Sequence, residues 1–211
     1  MPSSSVLELL SPCRVCARAC GADRLGGEKG FCGLDAAVHV AWAGPHLGEE
    51  PCFSGQNGVG NVFFSSCNMA CAYCQNHQIS QGGVACRAME AEQFADLALS
   101  LQESGVHFLG LVSPGHQAPQ VAQSLETARK RGLCLPVLYN TNAYESVEAL
   151  KLFDGLVEVY LPDVKYAEDA NAVRYSRAPG YARAWREAVA EMHRQAGDIR
   201  LDLETGLAQS G

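Results

Sequence analysis

Three cysteines within eight residues, Cys67, Cys71 and Cys74, have the spacing C-x3-C-x2-C. A closed zinc site takes four protein ligands, so these three thiolates leave one incomplete. They match three irons of a four-iron, four-sulfide (4Fe-4S) cubane, with the remaining iron free for a small ligand. Ordinary ferredoxin loops supply a fourth cysteine at other spacings. A zinc ion completed by a distant ligand such as His77 is the competing reading of the same loop. Four more cysteines, Cys13, Cys16, Cys20 and Cys32, form C-x2-C-x3-C-x11-C. They suffice for one closed site, either a structural zinc knuckle or a second iron–sulfur cluster, and spacing alone does not separate the two. Cys52, Cys86 and Cys134 are scattered and read as ordinary thiols.

This reading needs a reducing compartment. No apolar stretch approaches the length of a membrane span. The first eleven residues lack the basic start and unbroken apolar run of a secretion signal. The chain is therefore expected in the cytoplasm, where clustered cysteines serve metals or catalysis more often than disulfides. Its 16 Lys and Arg against 23 Asp and Glu give a formal net charge of -7. A phosphate-backbone binder carries a basic surface, so nucleic acid is not an expected partner, and neither is a membrane. The 47% hydrophobic fraction of the 211 residues is enough for a packed core.

The elements that must hold these cysteines divide the chain in two. Residues 1–54 are rich in Cys and Gly with little periodicity, which predicts a small module held by its metal. Residues 55–211 alternate strands with helices. Strands are predicted at 62–64, 108–112, 135–139 and 157–161. Helices are predicted at 89–104, 118–131, 145–153 and 182–195, with a break at Pro179-Gly180. The first of these helices puts Met89, Phe94, Leu97, Ala98 and Leu101 on one face, and the second puts Val121, Leu125 and Ala128 on another. Such alternation implies an α/β fold with parallel strands and right-handed crossovers. Functional groups then belong just beyond the strand ends. Four polar clusters fall there: the cysteine loop, Ser113-Pro114-Gly115-His116, Asn140-Thr141-Asn142 and Asp163-Val164-Lys165. The tail from Asp198 offers neither a helix cap nor a closing strand.

Cys67-Asn68-Met69-Ala70-Cys71-Ala72-Tyr73-Cys74 resembles the C-x3-C-x-aromatic-C signature of the radical S-adenosylmethionine superfamily. Further stretches resemble one branch of its pyruvate formate-lyase-activating-enzyme-like proteins. These are Cys13-Arg14-Val15-Cys16, Gly48-Glu49-Glu50-Pro51, Cys74 to Ser80, Leu138 to Asn142, and Tyr160 to Tyr166. The resemblance implies a partial (β/α) barrel, and a 4Fe-4S cluster on Cys67, Cys71 and Cys74. It implies S-adenosyl-L-methionine chelated by the open iron, and reductive cleavage to a 5′-deoxyadenosyl radical that abstracts hydrogen. An electron donor such as flavodoxin or ferredoxin and a protein substrate are the partners it implies.

It also assigns cofactor contacts. Tyr73 holds the aromatic position near the adenine, with plain core packing as the alternative. Asp163 and Lys165 match a cofactor-binding Asp-x-Lys, with a surface ion pair as the alternative. Asn142 ends the triplet that reads Asp-Thr-Asn in activating enzymes, and Asn140 here removes one carboxylate from it. The Gly-Gly-Glu of those enzymes is replaced by Ser113-Pro114-Gly115-His116, where His116 is the candidate polar contact. Gly26-Gly27-Glu28 lies in the N-terminal segment and reads as a chance match. The superfamily core has six strand–helix units against four here, so a chain truncated after about four units is expected. A non-catalytic metal carrier or adaptor, or an inactive truncated relative, is the alternative function.

Overall fold

A computed structural model describes residues 6–211; the first five residues of the expected N-terminal module lie outside the described residues. A six-stranded sheet forms the centre, in the order β3-β1-β2-β4-β5-β6. Its strands are β1 (Val38–His46), β2 (Val59–Phe64), β3 (Arg87–Met89), β4 (Phe108–Val112), β5 (Val137–Thr141) and β6 (Val159–Pro162). β2, β4, β5 and β6 pair in parallel, while β1 runs antiparallel to both of its neighbours. The sheet is thus α/β and mostly parallel, as the alternation implies.

The parallel strands read as nearly unbroken apolar runs because helices cover them. Helices α3 (Ala91–Glu103) and α4 (Ala118–Lys130) do so, burying Phe94, Ala98 and Leu101 from one and Val121, Leu125 and Ala128 from the other. Met89, expected on the first helix, instead ends β3. A capping box between Glu90 and Gln93 starts α3 just after it, satisfying two of the N–H groups that a helix start leaves free. Short α5 (Val147–Leu150) is capped by Ser146, whose hydroxyl accepts from Ala149 N–H, and continues as a 3-10 turn over Lys151–Phe153. α6 (Asp169–Ser176) and α7 (Tyr181–Ala196) flank the Pro179-Gly180 break. Two short helices, α1 (Pro51–Ser54) and α2 (His77–Ser80), bracket β2 and the cysteine loop.

Two expectations change here. The segment before residue 55 contains a nine-residue strand of the main sheet, β1, and Leu9, Leu10, Cys13 and Val15 share the principal core with β2, β4 and α3. Its Pro, His and Gly hide the strand from a periodicity reading. The tail also has order: Gly197 at φ +73° ends α7 by donating to His193 O at 2.8 Å. β7 (Arg200–Leu201) and β8 (Ala208–Ser210) then form a small antiparallel hairpin. Gly211 donates to Glu158 O at 3.1 Å and accepts from Tyr160 N–H at 2.7 Å, a parallel bridge against β6.

Candidate metal and cofactor site

The C-terminal ends of β2, β4, β5 and β6 open onto a cavity of about 560 Å³, within the size range of small-molecule sites. Cys67, Cys71 and Cys74 all line it, together with Tyr73, Asn142, Asp163 and Lys165. Each lining residue just past a strand end is presented by a loop that the strand fixes. Three of those loops hold non-glycine residues at positive φ: Ser66 at 68°, Ser113 at 56° and Ala143 at 59°. Such backbone is unfavourable and gathers where a site dictates it.

The cysteine loop is held from behind by α6. Ala70 N–H donates to Ser176 O at 3.0 Å, and Ala72 N–H to Tyr175 O at 2.8 Å. Every sulfur of the loop has a polar neighbour. Cys67 Sγ accepts from Met69 N–H at 3.4 Å and Asn142 Nδ2 at 3.5 Å. Ser176 Oγ donates to Cys71 Sγ at 3.0 Å. Ser80 Oγ lies 3.2 Å from Cys74 Sγ. Burial pushes the Cys67 thiol up to about 11, and the neighbouring Cys71 and Cys74 push it the same way. Metal binding here must therefore release protons. Among the described residues, no three His, Cys, Asp or Glu side chains close on a common point as ligands of a single ion would. The three thiols instead edge a wide cavity whose wall carries no fourth cysteine among the described residues. That donor set fits a cluster with one iron left open, each thiolate supported by the N–H or O–H beside it.

Across the cavity, Lys165 Nζ donates to Asp163 Oδ2, and the two form a rim ion pair. Lys165 N–H donates to Tyr181 Oη at 2.9 Å, and Tyr181 Oη donates to Asn142 O at 2.7 Å. One buried tyrosine of α7 thereby sets the loops after β5 and β6. Tyr73 is 53% exposed, so core packing is not its role. Its hydroxyl donates to Tyr166 Oη at 2.7 Å, which lies 2.6 Å from Ser176 Oγ, joining the aromatic position to the Cys71 donor.

His116 is elsewhere. A 3-10 turn at Gly115–Gln117 folds it inward, and it is 2% exposed and absent from the cavity wall. Its Nε2 lies 2.8 Å from Ser65 O. Burial lowers it to about 4, so it is neutral. His116 is a structural residue in place of the expected cofactor contact. The turn needs Gly115, because a Cβ there would lie 2.1 Å from the Glu145 carboxylate.

Glu49, in the Gly48-Glu49-Glu50-Pro51 stretch but with no site role expected of it, is a cavity carboxylate. It accepts from Asn61 Nδ2 at 2.8 Å. Asn61 carried the available signal: a polar residue inside an apolar strand must find a partner. The N-terminal cysteines come together separately, around a second and much smaller cavity behind the loop. Cys52, Cys86 and Cys134 line neither cavity.

No protein-family model matches the chain. It is similar to an uncharacterized protein, MJ0674, of Methanocaldococcus jannaschii, at 29% identity over 177 residues. That alignment covers 80% of this chain and 50% of the relative, so the chain spans about half the relative's length. No helix of the described residues is long and apolar enough to cross a membrane.

Proposed function

We propose that the chain carries the core of a radical S-adenosylmethionine enzyme, a partial (β/α) barrel that binds a 4Fe-4S cluster through Cys67, Cys71 and Cys74. The observation that carries this is the pairing of three hydrogen-bonded cysteine sulfurs with a cavity of about 560 Å³ at the ends of four parallel strands. A metal carrier or adaptor has no use for such a cavity, nor for the Asp163–Lys165 pair facing it.

When bound, the cluster supplies one electron that splits the sulfonium C–S bond, giving methionine and a 5′-deoxyadenosyl radical able to abstract hydrogen. The protein's own residues bind and shield. Ser176, Ser80, Asn142 and the Met69 N–H stabilise the thiolates. Asp163 and Lys165 offer a carboxylate and an ammonium to the polar groups of the cofactor, and Tyr73 offers its exposed ring to the adenine. Phe63, Phe64, Ile79 and Val112 supply the apolar part of the wall and exclude water there. A flavodoxin or ferredoxin as electron donor and a protein as hydrogen donor complete the reading.

The test is anaerobic reconstitution followed by a strong reductant and S-adenosylmethionine. Cofactor cleavage to 5′-deoxyadenosine, lost in Cys67→Ala, Cys71→Ala and Cys74→Ala together with the visible iron–sulfur absorbance, is the expected result. Full iron and sulfide in all three variants would show the loop assignment to be wrong.

A further inference from the structure

We propose that Cys13, Cys16, Cys20 and Cys32 bind one zinc ion as a closed tetrathiolate site, with Arg24 as its buried counter-charge. Nothing in this depends on the cofactor chemistry of the larger cavity.

The first argument is shared placement, with the four thiols around one pocket although they do not yet close on a single point. These cysteines are spread over twenty residues of sequence, yet all four line one cavity of about 10 Å³. That is room for roughly one water-sized sphere. It suits a single ion. Cys13 and Cys16 are buried, while Cys20 and Cys32 stand on the solvent side, so loading draws the outer pair inward.

The second is charge. Arg24 lines the same cavity and is 1% exposed. Its guanidinium donates to Asp35 O at 3.0 and 2.6 Å and to His116 O at 2.8 Å. All of these are neutral carbonyls, and among the described residues Arg24 has no carboxylate within ion-pair distance. A buried cation without an anion is costly. Zinc with four thiolates is a net anion, and Arg24 lines the cavity beside those cysteines.

The third is the space kept for a sulfur at Gly30. A Cβ at this position would lie 2.6 Å from Cys20 Sγ, so the residue is glycine to leave space for the sulfur.

Zinc here would fix the wall of the larger cavity. Arg18, in the same loop, donates to Asn68 O at 3.0 and 2.9 Å and to Arg177 O at 2.6 Å. Ser66 Oγ donates to Cys32 O.

The test uses the full chain as purified, without iron–sulfur reconstitution. Metal analysis, with release by a mercurial reagent into a chromogenic zinc indicator, is expected to find a single equivalent of zinc. A second full-length chain with Cys67, Cys71 and Cys74 all changed to Ala is expected to keep it. In that background Cobalt(II) exchange is expected to give the visible bands and sulfur-to-metal charge-transfer absorbance of a tetrathiolate site, and Cys20→Ser to abolish that spectrum. Iron with sulfide retained by the triple variant would overturn the zinc assignment in favour of a cluster. A folded chain without metal, or with these thiols oxidised in pairs, would overturn the site itself.

Discussion

Ser176 is fully buried and spends its hydroxyl on Cys71. Hydrogen bonds to cluster sulfurs favour the reduced state, whose extra negative charge they stabilise. Ser176→Ala is expected to keep iron content and lower the cluster's reduction potential by about 40 mV, the equivalent of one hydrogen bond of about 1 kcal/mol. Potentiometric titration followed by electron paramagnetic resonance reads this directly. Asp163 stands apart from the thiols, and among the described residues its side chain hydrogen-bonds only to Lys165. Asp163→Ala is therefore expected to leave iron and fold intact while weakening S-adenosylmethionine binding roughly tenfold, as loss of one charge-assisted contact implies. Equilibrium dialysis of the reconstituted protein measures it. Unchanged affinity would return Asp163 to the role of a surface ion-pair member.

Among the elements, what was legible in the sequence follows from local versus distant causes. Val62-Phe63-Phe64, Phe108–Val112 and the two later strands announce themselves because a parallel strand buried on both faces is a continuous apolar run. The polar clusters after them fell on the cavity because a parallel sheet sends all its strand ends to one rim. β1 depends on two antiparallel partners, one of them more than forty residues further along at β3, and local pattern carries no trace of that. The turn at His116 is illegible for the same reason, since whether a loop histidine faces in or out is decided here by Ser65 O, 51 residues earlier in the chain. At the far end of the sheet, Glu191 accepts from Arg194 and Gln195 on its own helix α7, and those two side chains in turn tie the helix to Asp154 and to Leu150 O. The hydrogen bonds to Glu191, with Arg194's charge, hold its carboxyl below its ordinary range. Its contribution to stability is thus fully present above the ordinary glutamate value of about 4.3 and is lost as the pH falls through the lower folded value. Glu191→Gln is expected to be weaker at pH 7 by about 1 kcal/mol and to show a shallower loss on acidification. Urea unfolding at neutral and acidic pH compares the two slopes.

For the whole molecule, the N-terminal segment acts as a strap over the back of the cysteine loop. It is fastened by Arg14 to Glu148, by Val15 O to Ser146 Oγ, and by the Cys16–Glu145 backbone bridge. With the proposed zinc removed, the strap should loosen without the sheet unfolding. A chelator is expected to speed proteolysis within residues 13–32 severalfold, whereas a reductant alone leaves the rate unchanged. Mass mapping of the early cleavage sites distinguishes these outcomes. Acceleration by the reductant alone would point to disulfides in place of metal.

Asn68 gives the strap a thermodynamic meaning. Its carbonyl accepts from Arg18 beside the first cysteine set, and its side chain accepts from Asn142 at 2.9 Å and donates to Tyr144 O at 2.7 Å beside the second. If both sites fill as proposed, this one residue touches two binding equilibria, and a shift that one ligand imposes on it is felt at the other. Linkage then requires the effect to be mutual: whatever factor zinc adds to the affinity for the cluster, the cluster must add to the affinity for zinc. A cell short of zinc would in that case lose iron from this protein as well, with no competition between the two metals for a common site.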